Sequence, residues 1–163
     1  MNDCKATTWP PPPEPPRQKE LLQDLLFSLD DEQRLLNLAA RFQPAEDYPL
    51  APHCYSRCLL LRNPDGREVM VARWDQGAAT PIHGHPRYAF VYVLWGRLQN
   101  ETFQHTDQGL IPGERRICGP GDHIYAAGRK GRFDNAIHRV TALAPSLSLH
   151  VYSDDALKGI SWD

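Results

Sequence analysis

The chain has 163 residues, of which 41% are hydrophobic, enough for one globular domain with a buried core. Its 18 basic and 20 acidic residues are well mixed and give a formal net charge of -2, which excludes a broad basic surface for nucleic acid or an anionic membrane. No run of about 18 apolar residues is present to span a bilayer. These properties favour a small-molecule or protein partner.

The beginning of the chain carries a cysteine and a proline run but no apolar core of a secretory signal. We therefore expect a cytoplasmic protein whose four cysteines, Cys4, Cys54, Cys58 and Cys118, are reduced thiols. PPPPEPP at 10–16 has almost no backbone donors and favours a polyproline conformation. We predict a disordered proline-rich arm over residues 1–16 and a single domain over 17–163.

Residues 17–43 place leucines at helical spacing, first from Leu21 to Leu29 and then from Leu35 to Phe42. DDEQ at 30–33 indicates a new helix start, with Asp30 and Gln33 in capping-box positions. We predict two short helices that pack on the body of the domain.

After Pro44 the sequence changes to short β-branched and aromatic runs separated by turn signals such as NPDG at 63–66 and IPGE at 111–114. Many short strands without intervening helices indicate an antiparallel barrel or jelly roll, so the fold class is mainly β. The predicted strands are 55–62, 68–74, 80–85, 88–95, 97–104, 115–118, 122–126, 137–143 and 146–152.

Two histidines stand one residue apart in TPIHGHPRYAFVYVLWG, residues 80–96, ahead of an apolar run that ends in glycine. Because alternate side chains of a strand share a face, His83 and His85 point the same way and can bind one metal ion. A mononuclear site needs a third ligand from another strand. His138 is a candidate, since NAIHRV puts it at the head of an apolar strand.

The segment from Gly77 to Gly96 follows the cupin pattern G-x5-H-x-H-x10-G, but Ala89 and Phe90 occupy the place of the usual cupin glutamate. The ligands would then be three neutral histidines, which leave a divalent ion with its full charge and with open positions for anionic ligands. Iron(II) in such a site can bind substrate and O2 together, whereas zinc would activate water.

Two further segments place polar side chains on one strand face. SLSLHVYS at 146–153 alternates strictly, and its polar face is either solvated or lines a pocket. The members of that polar face are Ser148, His150 and Tyr152. In YSR at 55–57, Tyr55 and Arg57 share a face, and Arg57 is either a surface charge or a bidentate clamp for a carboxylate.

In their order along the chain these segments resemble the cysteine dioxygenase family, cupins that add both atoms of O2 to a small thiol to give a sulfinate. The resemblance covers about residues 55–153. YSR is similar to the family's Y-x-R, VARWDQGAATPIHGH to its tryptophan strand leading into H-x-H, IHRV to the segment with the third ligand, and SLSLHVYS to its S-x-H-x-Y triad.

The resemblance implies a cupin-type antiparallel β-barrel at about 55–153 with Fe(II) as cofactor, held by His83, His85 and His138. It implies a small thiol and O2 as partners. L-cysteine is the first-choice substrate, because Arg57 would pair with its carboxylate, with Tyr55 packed beside the arginine.

The resemblance also implies a catalytic group. Tyr152 would place its hydroxyl near the sulfur and O2, His150 would hydrogen-bond to it, and Ser148 would fix the imidazole. Two positions depart from the family: Gly84 stands where H-D-H is common, and Ala89 lies at or near the cysteine that crosslinks to the tyrosine in mammalian members. We therefore expect a bacterial-type site without the crosslink.

Several alternatives stay open at this point. Within the same class, 3-mercaptopropionate or another thiol acid is a rival substrate. From other classes, a zinc or manganese cupin could act as an isomerase or hydrolase, or a non-catalytic metal-binding cupin module could use the proline-rich arm to recruit a partner. The sequence leaves the oligomeric state open.

Overall fold

The structure, a computed structural model, describes residues 7–10 and 16–162. It is mainly β with two short helices ahead of the barrel strands, as predicted, and each predicted strand overlaps an observed one. The elements are β1 Thr7–Trp9, α1 Pro16–Leu26, α2 Glu32–Ala39, β2 Tyr55–Arg62, β3 Glu68–Trp74, β4 His83–His85, β5 Tyr88–Trp95, β6 Leu98–Thr106, β7 Gly109–Cys118, β8 His123–Ala127, β9 Asn135–Ala142, β10 Ser146–Tyr152 and the 3-10 helix Ala156–Lys158.

The strands form two sheets. One has six strands in the order β1-β2-β3-β10-β5-β8, and the other has four in the order β4-β9-β6-β7. All neighbouring strands are antiparallel except β1, which is parallel to β2. Neighbours that are distant in sequence, such as β3 and β10, are typical of a jelly roll.

The helix α2 begins one residue later than the capping box predicted. Asp31, in an extended conformation, is the N-cap, and its carboxylate accepts a hydrogen bond from the Arg34 backbone N–H at 3.0 Å. Asp30 is therefore not the cap, because the carboxylate of Asp31 has the spacing that reaches the free N–H groups of the first turn. Within the described part of the chain, no helix is both long enough and apolar enough to cross a membrane.

All seven residues of β10 are buried, so both faces of this alternating strand are enclosed. Leu147, Leu149 and Val151 face the helices and join the core formed with their leucines. Tyr152, on the opposite face, belongs to a second core between the sheets. The polar face therefore lies inside the barrel, which rules out the solvated alternative.

The strand β7 is longer than predicted, and the turn predicted at 111–114 is wrong. The chain reverses just before Gly109, and Pro112 lies within the strand opposite Phe103. Proline is tolerated there because β7 is an edge strand, and the register shifts between Glu101 and Phe103.

The N-terminal prediction is tested only in part. Within the predicted disordered arm, Thr7–Trp9 forms a strand on the edge of the larger sheet, while 1–6 and 11–15 lie outside the described residues. Cys58 and Cys118 are free, as expected. Cys54 is disulfide-bonded, so the expectation of reduced thiols is wrong there. Sequence spacing does not reveal which cysteines a fold brings to bonding distance.

The first core predicts a clear mutational effect. Leu25 is completely buried between α1 and the barrel, so Leu25→Ala should lower the free energy of unfolding by about 2–5 kcal/mol. Urea denaturation measures this loss. Leu157→Ala is the matched control, because Leu157 is 69% exposed. Equal losses in the two variants would contradict the packing of α1 as described.

Candidate metal centre and substrate pocket

Three predicted ligands converge on one point. His83 and His85 lie on β4, His138 lies on β9, and the antiparallel pairing sets His83 directly opposite His138. The three imidazole centroids are 4.7–4.8 Å apart, and one ligand atom from each residue lies within 4.8 Å of the others. The fold thus brings His138 on one strand to the pair His83 and His85 on another, as the sequence predicted.

A bulge in β9 helps to aim these rings. Between His83 and His85 the register shifts, so that His85 pairs with Asn135, and the intervening Ala136 has a φ of +46°. The Asn135 side-chain amide donates to the His85 carbonyl at 3.2 Å and so ties the bulge to β4. Bulges of this kind re-aim side chains next to functional sites.

Two of the imidazoles are oriented by hydrogen bonds at Nδ1. His83 donates to the Pro81 carbonyl at 2.9 Å, and His138 donates to the Asn100 side-chain oxygen at 2.6 Å. A proton on Nδ1 leaves the Nε2 lone pair available, and His85 Nε2 lies 2.7 Å from His138 Nε2. His85 Nδ1 is buried and has no hydrogen-bond partner among the described residues.

The environment keeps two of the three clustered imidazoles neutral. Burial lowers the pKa of His85 and His138 well below the usual histidine value, and charge on the neighbouring histidines acts in the same direction. Neutral imidazole is the form that binds a metal ion. Three converging imidazole nitrogen donors fit a divalent transition metal such as iron, manganese, cobalt or zinc.

The three-histidine cluster opens into a cavity of about 330 Å³. Four of the other predicted site residues, Tyr55, Arg57, His150 and Tyr152, also line it. The remaining one, Ser148, is fully buried behind the cavity wall and contacts His150. All eight predicted site residues therefore belong to one connected region of the barrel interior.

The polar side chains of β10 form a hydrogen-bonded chain. The Trp74 indole donates to Ser148 Oγ at 2.8 Å, Ser148 contacts His150 Nε2 at 2.7 Å, and His150 Nδ1 lies 2.7 Å from the Tyr152 hydroxyl. Indole is a donor only, so the direction that uses every hydrogen runs from Trp74 towards Tyr152. In that direction Tyr152 accepts from His150 and keeps its own proton to donate into the cavity.

Burial also fixes the protonation of this chain. It lowers the pKa of His150 to about 3, with the Arg57 charge acting the same way. It raises the pKa of Tyr152 above the usual tyrosine value. Both groups are therefore neutral at physiological pH, and Tyr152 is a hydrogen-bond donor rather than a phenolate.

Arg57 is an uncommon feature of a protein interior, because it is only 8% exposed. Its Nε and Nη2 atoms both lie 3.2 Å from Met70 Sδ, a weak acceptor. Its Nη2 is 3.5 Å from Glu68, which is fully buried and also pairs with Arg62. The short ion-pair contacts of Glu68 are therefore with Arg62, which also lies 3.4 Å from Asp155, and Arg57 has only the longer contact with Glu68.

Tyr55 has a packing role here. Its ring stacks on Trp74 with centroids 4.5 Å apart, and burial raises its pKa. Two other histidines lie outside this cavity. His123 pairs with Glu32 at 2.9 Å, and His105 packs against Trp162.

The sequence analysis missed Asn100. It lies on β6, opposite Val140, and is buried behind His138. The segment LQNETFQHT at 98–106 is mostly polar, so nothing in the pattern distinguishes the one polar side chain that is buried against a ligand. Only the pairing of β6 with β9 puts Asn100 next to His138.

No protein-family model matches the chain, and neither does any curated protein. Solved structures do match. An oxalate oxidase in complex with the substrate analogue glycolate has a TM-score of 0.53 at 14% identity, over 74% of this chain and 62% of that chain. An RmlC-like cupin from Shewanella frigidimarina NCIMB 400 has a TM-score of 0.50 at 15% identity, over 69% and 88% of the two chains.

A cupin superfamily protein from Desulfitobacterium hafniense DCB-2 also has a TM-score of 0.50, at 12% identity, over 71% of this chain and 94% of that chain. These likenesses show that the chain has a cupin-type fold. Its three-histidine cluster occupies the barrel interior as a candidate metal site. The chemistry performed there is argued from the site itself.

The Asn100 contact predicts a loss of metal affinity. Asn100→Leu removes the acceptor that holds His138, and the Kd for Co(II) or Fe(II) should rise about 10–100-fold. Metal titration followed by absorbance measures the change. Asn37→Leu is a control on the surface helix α2. Unchanged metal affinity in Asn100→Leu would refute its orienting role.

Proposed function

We propose that this protein is a non-haem iron(II) thiol dioxygenase that acts on a small carboxylate-bearing thiol, with L-cysteine as the first-choice substrate. The observation that supports it most is that a three-histidine cluster and a buried arginine, whose contact with Glu68 is as long as 3.5 Å, line the same cavity. One small molecule with a thiolate at one end and a carboxylate at the other would satisfy both groups.

Charge favours such a substrate. Three neutral histidines leave a bound divalent ion with its full charge, and Arg57 adds a cation that Glu68 shares with Arg62. Buried charge is costly unless it is compensated. A thiolate and a carboxylate supply two negative charges, whereas an aminothiol such as cysteamine supplies one and leaves Arg57 with only its long contact to Glu68.

His83, His85 and His138 would hold the cofactor Fe(II), which would supply the redox chemistry by which both atoms of O2 are added to a thiolate. Sulfinate formation is an oxidation that is hard to reverse. Arg57 would orient the carboxylate. Tyr152 would donate a hydrogen bond from its hydroxyl to the oxygen that is transferred to sulfur. This preorganised contact would lower the barrier by about 2–4 kcal/mol.

The chain from Trp74 to Tyr152 would keep that donor in place. Because His150 is neutral and hydrogen-bonds on both nitrogens, it holds the phenol oxygen without competing for its proton. Ala89 lies next to Tyr152 in the pairing of β5 with β10, so no thioether can form at this position. Hydrogen bonding from His150 therefore replaces a covalent crosslink as the restraint on the tyrosine.

The first test is dioxygenation itself. The full chain, reconstituted anaerobically with Fe(II), should consume O2 with L-cysteine and give a product heavier by two oxygen atoms. Parallel reactions with 3-mercaptopropionate and cysteamine rank the thiols, and Zn(II)-loaded protein is the matched control. Bound iron with no O2 uptake on any thiol would overturn the proposal in favour of another cupin activity or of a metal-binding module.

The arginine assignment has its own test. Arg57→Ala should raise the KM of carboxylate-bearing thiols about 10–100-fold, the value of a lost charged hydrogen bond, and change cysteamine turnover little. Glu68 retains Arg62 and the Ala156 N–H, so the barrel should stay folded. Arg62→Ala is the matched control, since it removes the other cation on the same carboxylate. An equal loss of activity on all thiols would refute the assignment of Arg57 as the residue that binds the carboxylate.

A further inference from the structure

The segment 155–162 follows β10. It crosses the cavity from the side of Arg57 to the strand β4. Ala156, Leu157, Gly159 and Ser161 all line the cavity. Nothing in the resemblance or in the sequence pattern assigned this segment a role. One end of the segment contacts the residues around Arg57, which would hold the carboxylate of a substrate. The other end contacts β4, which carries two of the histidines that would hold the metal.

The first end is attached to the arginine side. The Ala156 backbone N–H donates to Glu68 Oε1 at 3.0 Å, the same oxygen that lies 3.5 Å from Arg57 Nη2. Asp155 lies 3.4 Å from Arg62, the other cation on Glu68. The position of the Arg57 guanidinium therefore depends on how this segment holds Glu68.

The second end is attached to β4 on both sides of His83. The Gly84 N–H donates to the Ile160 carbonyl at 2.8 Å, and the Trp162 N–H donates to the Ile82 carbonyl at 3.0 Å. His83 and Ser161 form a β-bridge. The segment thus acts as an extra strand along the metal-binding β4.

Gly159 sets how closely the segment approaches β4. A Cβ atom at this position would lie 2.3 Å from the Gly84 carbonyl oxygen. Its backbone, with φ of -56° and ψ of 136°, is allowed for any residue, so only space requires glycine. Gly84 has the same constraint on its other side, where a Cβ would lie 2.5 Å from Asp134 Cα. This packing explains why H-G-H stands here.

We infer that segment 155–162 fixes the separation between the Arg57 guanidinium and the metal-binding histidines, and so selects thiol acids by the number of carbons between sulfur and carboxylate. Gly159 and Ala156 are positioning residues in this scheme. The substrate class rests on the proposed function, whereas the metal-affinity result below does not.

Two variants separate the two ends. Ala156→Pro removes the N–H that Glu68 accepts, at the first position of a short helix where proline is tolerated, and the preceding Asp155 already has an extended ψ of 115°. Gly159→Ala forces the segment and β4 apart. Gly119→Ala is the matched control, because its Cβ would find its nearest atom at 3.9 Å.

The measurement is anaerobic titration of the full-length Co(II)-loaded protein with mercaptoacetate, 3-mercaptopropionate and 4-mercaptobutyrate, followed by the visible spectrum. Wild type should prefer one length, and both variants should reduce that preference about tenfold. Gly159→Ala should also raise the Kd for Co(II) about tenfold, while Ala156→Pro should leave it unchanged. Thermal denaturation checks folding, and Ala156→Pro alone decides if Gly159→Ala is unfolded.

Equal binding of the three thiols by wild type, binding of none of them, or a wild-type preference in Ala156→Pro would overturn the inference. Length-selective binding without O2 consumption by the Fe(II) protein would instead overturn the dioxygenase proposal and leave the selection by segment 155–162 standing. The two failures are therefore distinguishable.

Discussion

The register between β4 and β9 is the constraint on which the rest of the site depends. With His83 opposite His138, three imidazoles meet inside the barrel, and a shift of one residue would turn the His138 side chain to the other face of the sheet. The bulge at Ala136 and the Asn135 contact hold that register locally. Segment 155–162 holds it from the other side, by pairing along β4.

The barrel interior combines an apolar core with buried polar groups, most of which have hydrogen-bond partners. The buried Ser148, His150 and Tyr152 satisfy one another in a chain that ends at the cavity. Arg57 is the exception, since its nearest acceptors are a thioether and a carboxylate that it shares. A buried cation whose contact with a carboxylate is as long as 3.5 Å is costly to stability, and such costs are concentrated at binding sites.

Much of this could be predicted from the sequence, because strand periodicity carries it. The alternation in SLSLHVYS, the His-x-His pair and the leucine spacing before residue 43 gave the faces of β10, β4 and the helices correctly. The pattern alone could not decide whether the polar face of β10 was wet or enclosed, since that depends on which sheet covers it. The resemblance, by contrast, had already grouped these segments.

The contributions of Asn100 and of Glu68 could not be found in this way. Both are single polar residues in strands, and each acts through a residue distant in sequence: Asn100 through His138 and Glu68 through Arg57. Gly159 is similar. It must lack a side chain because the Gly84 carbonyl oxygen lies too close, and only the folded chain makes that contact. Interactions set by tertiary packing leave no periodic signal.

The edge strand β7 shows a further consequence of its composition. Most of its residues are exposed, and it combines Pro112 with the charged run Glu114, Arg115 and Arg116. An exposed edge offers unpaired backbone groups to any other strand, and proline, charge and a register shift all obstruct such pairing. Pro112 and Glu114, which belong to the segment predicted to be a turn, are therefore among the residues that hinder the addition of a strand from a second molecule.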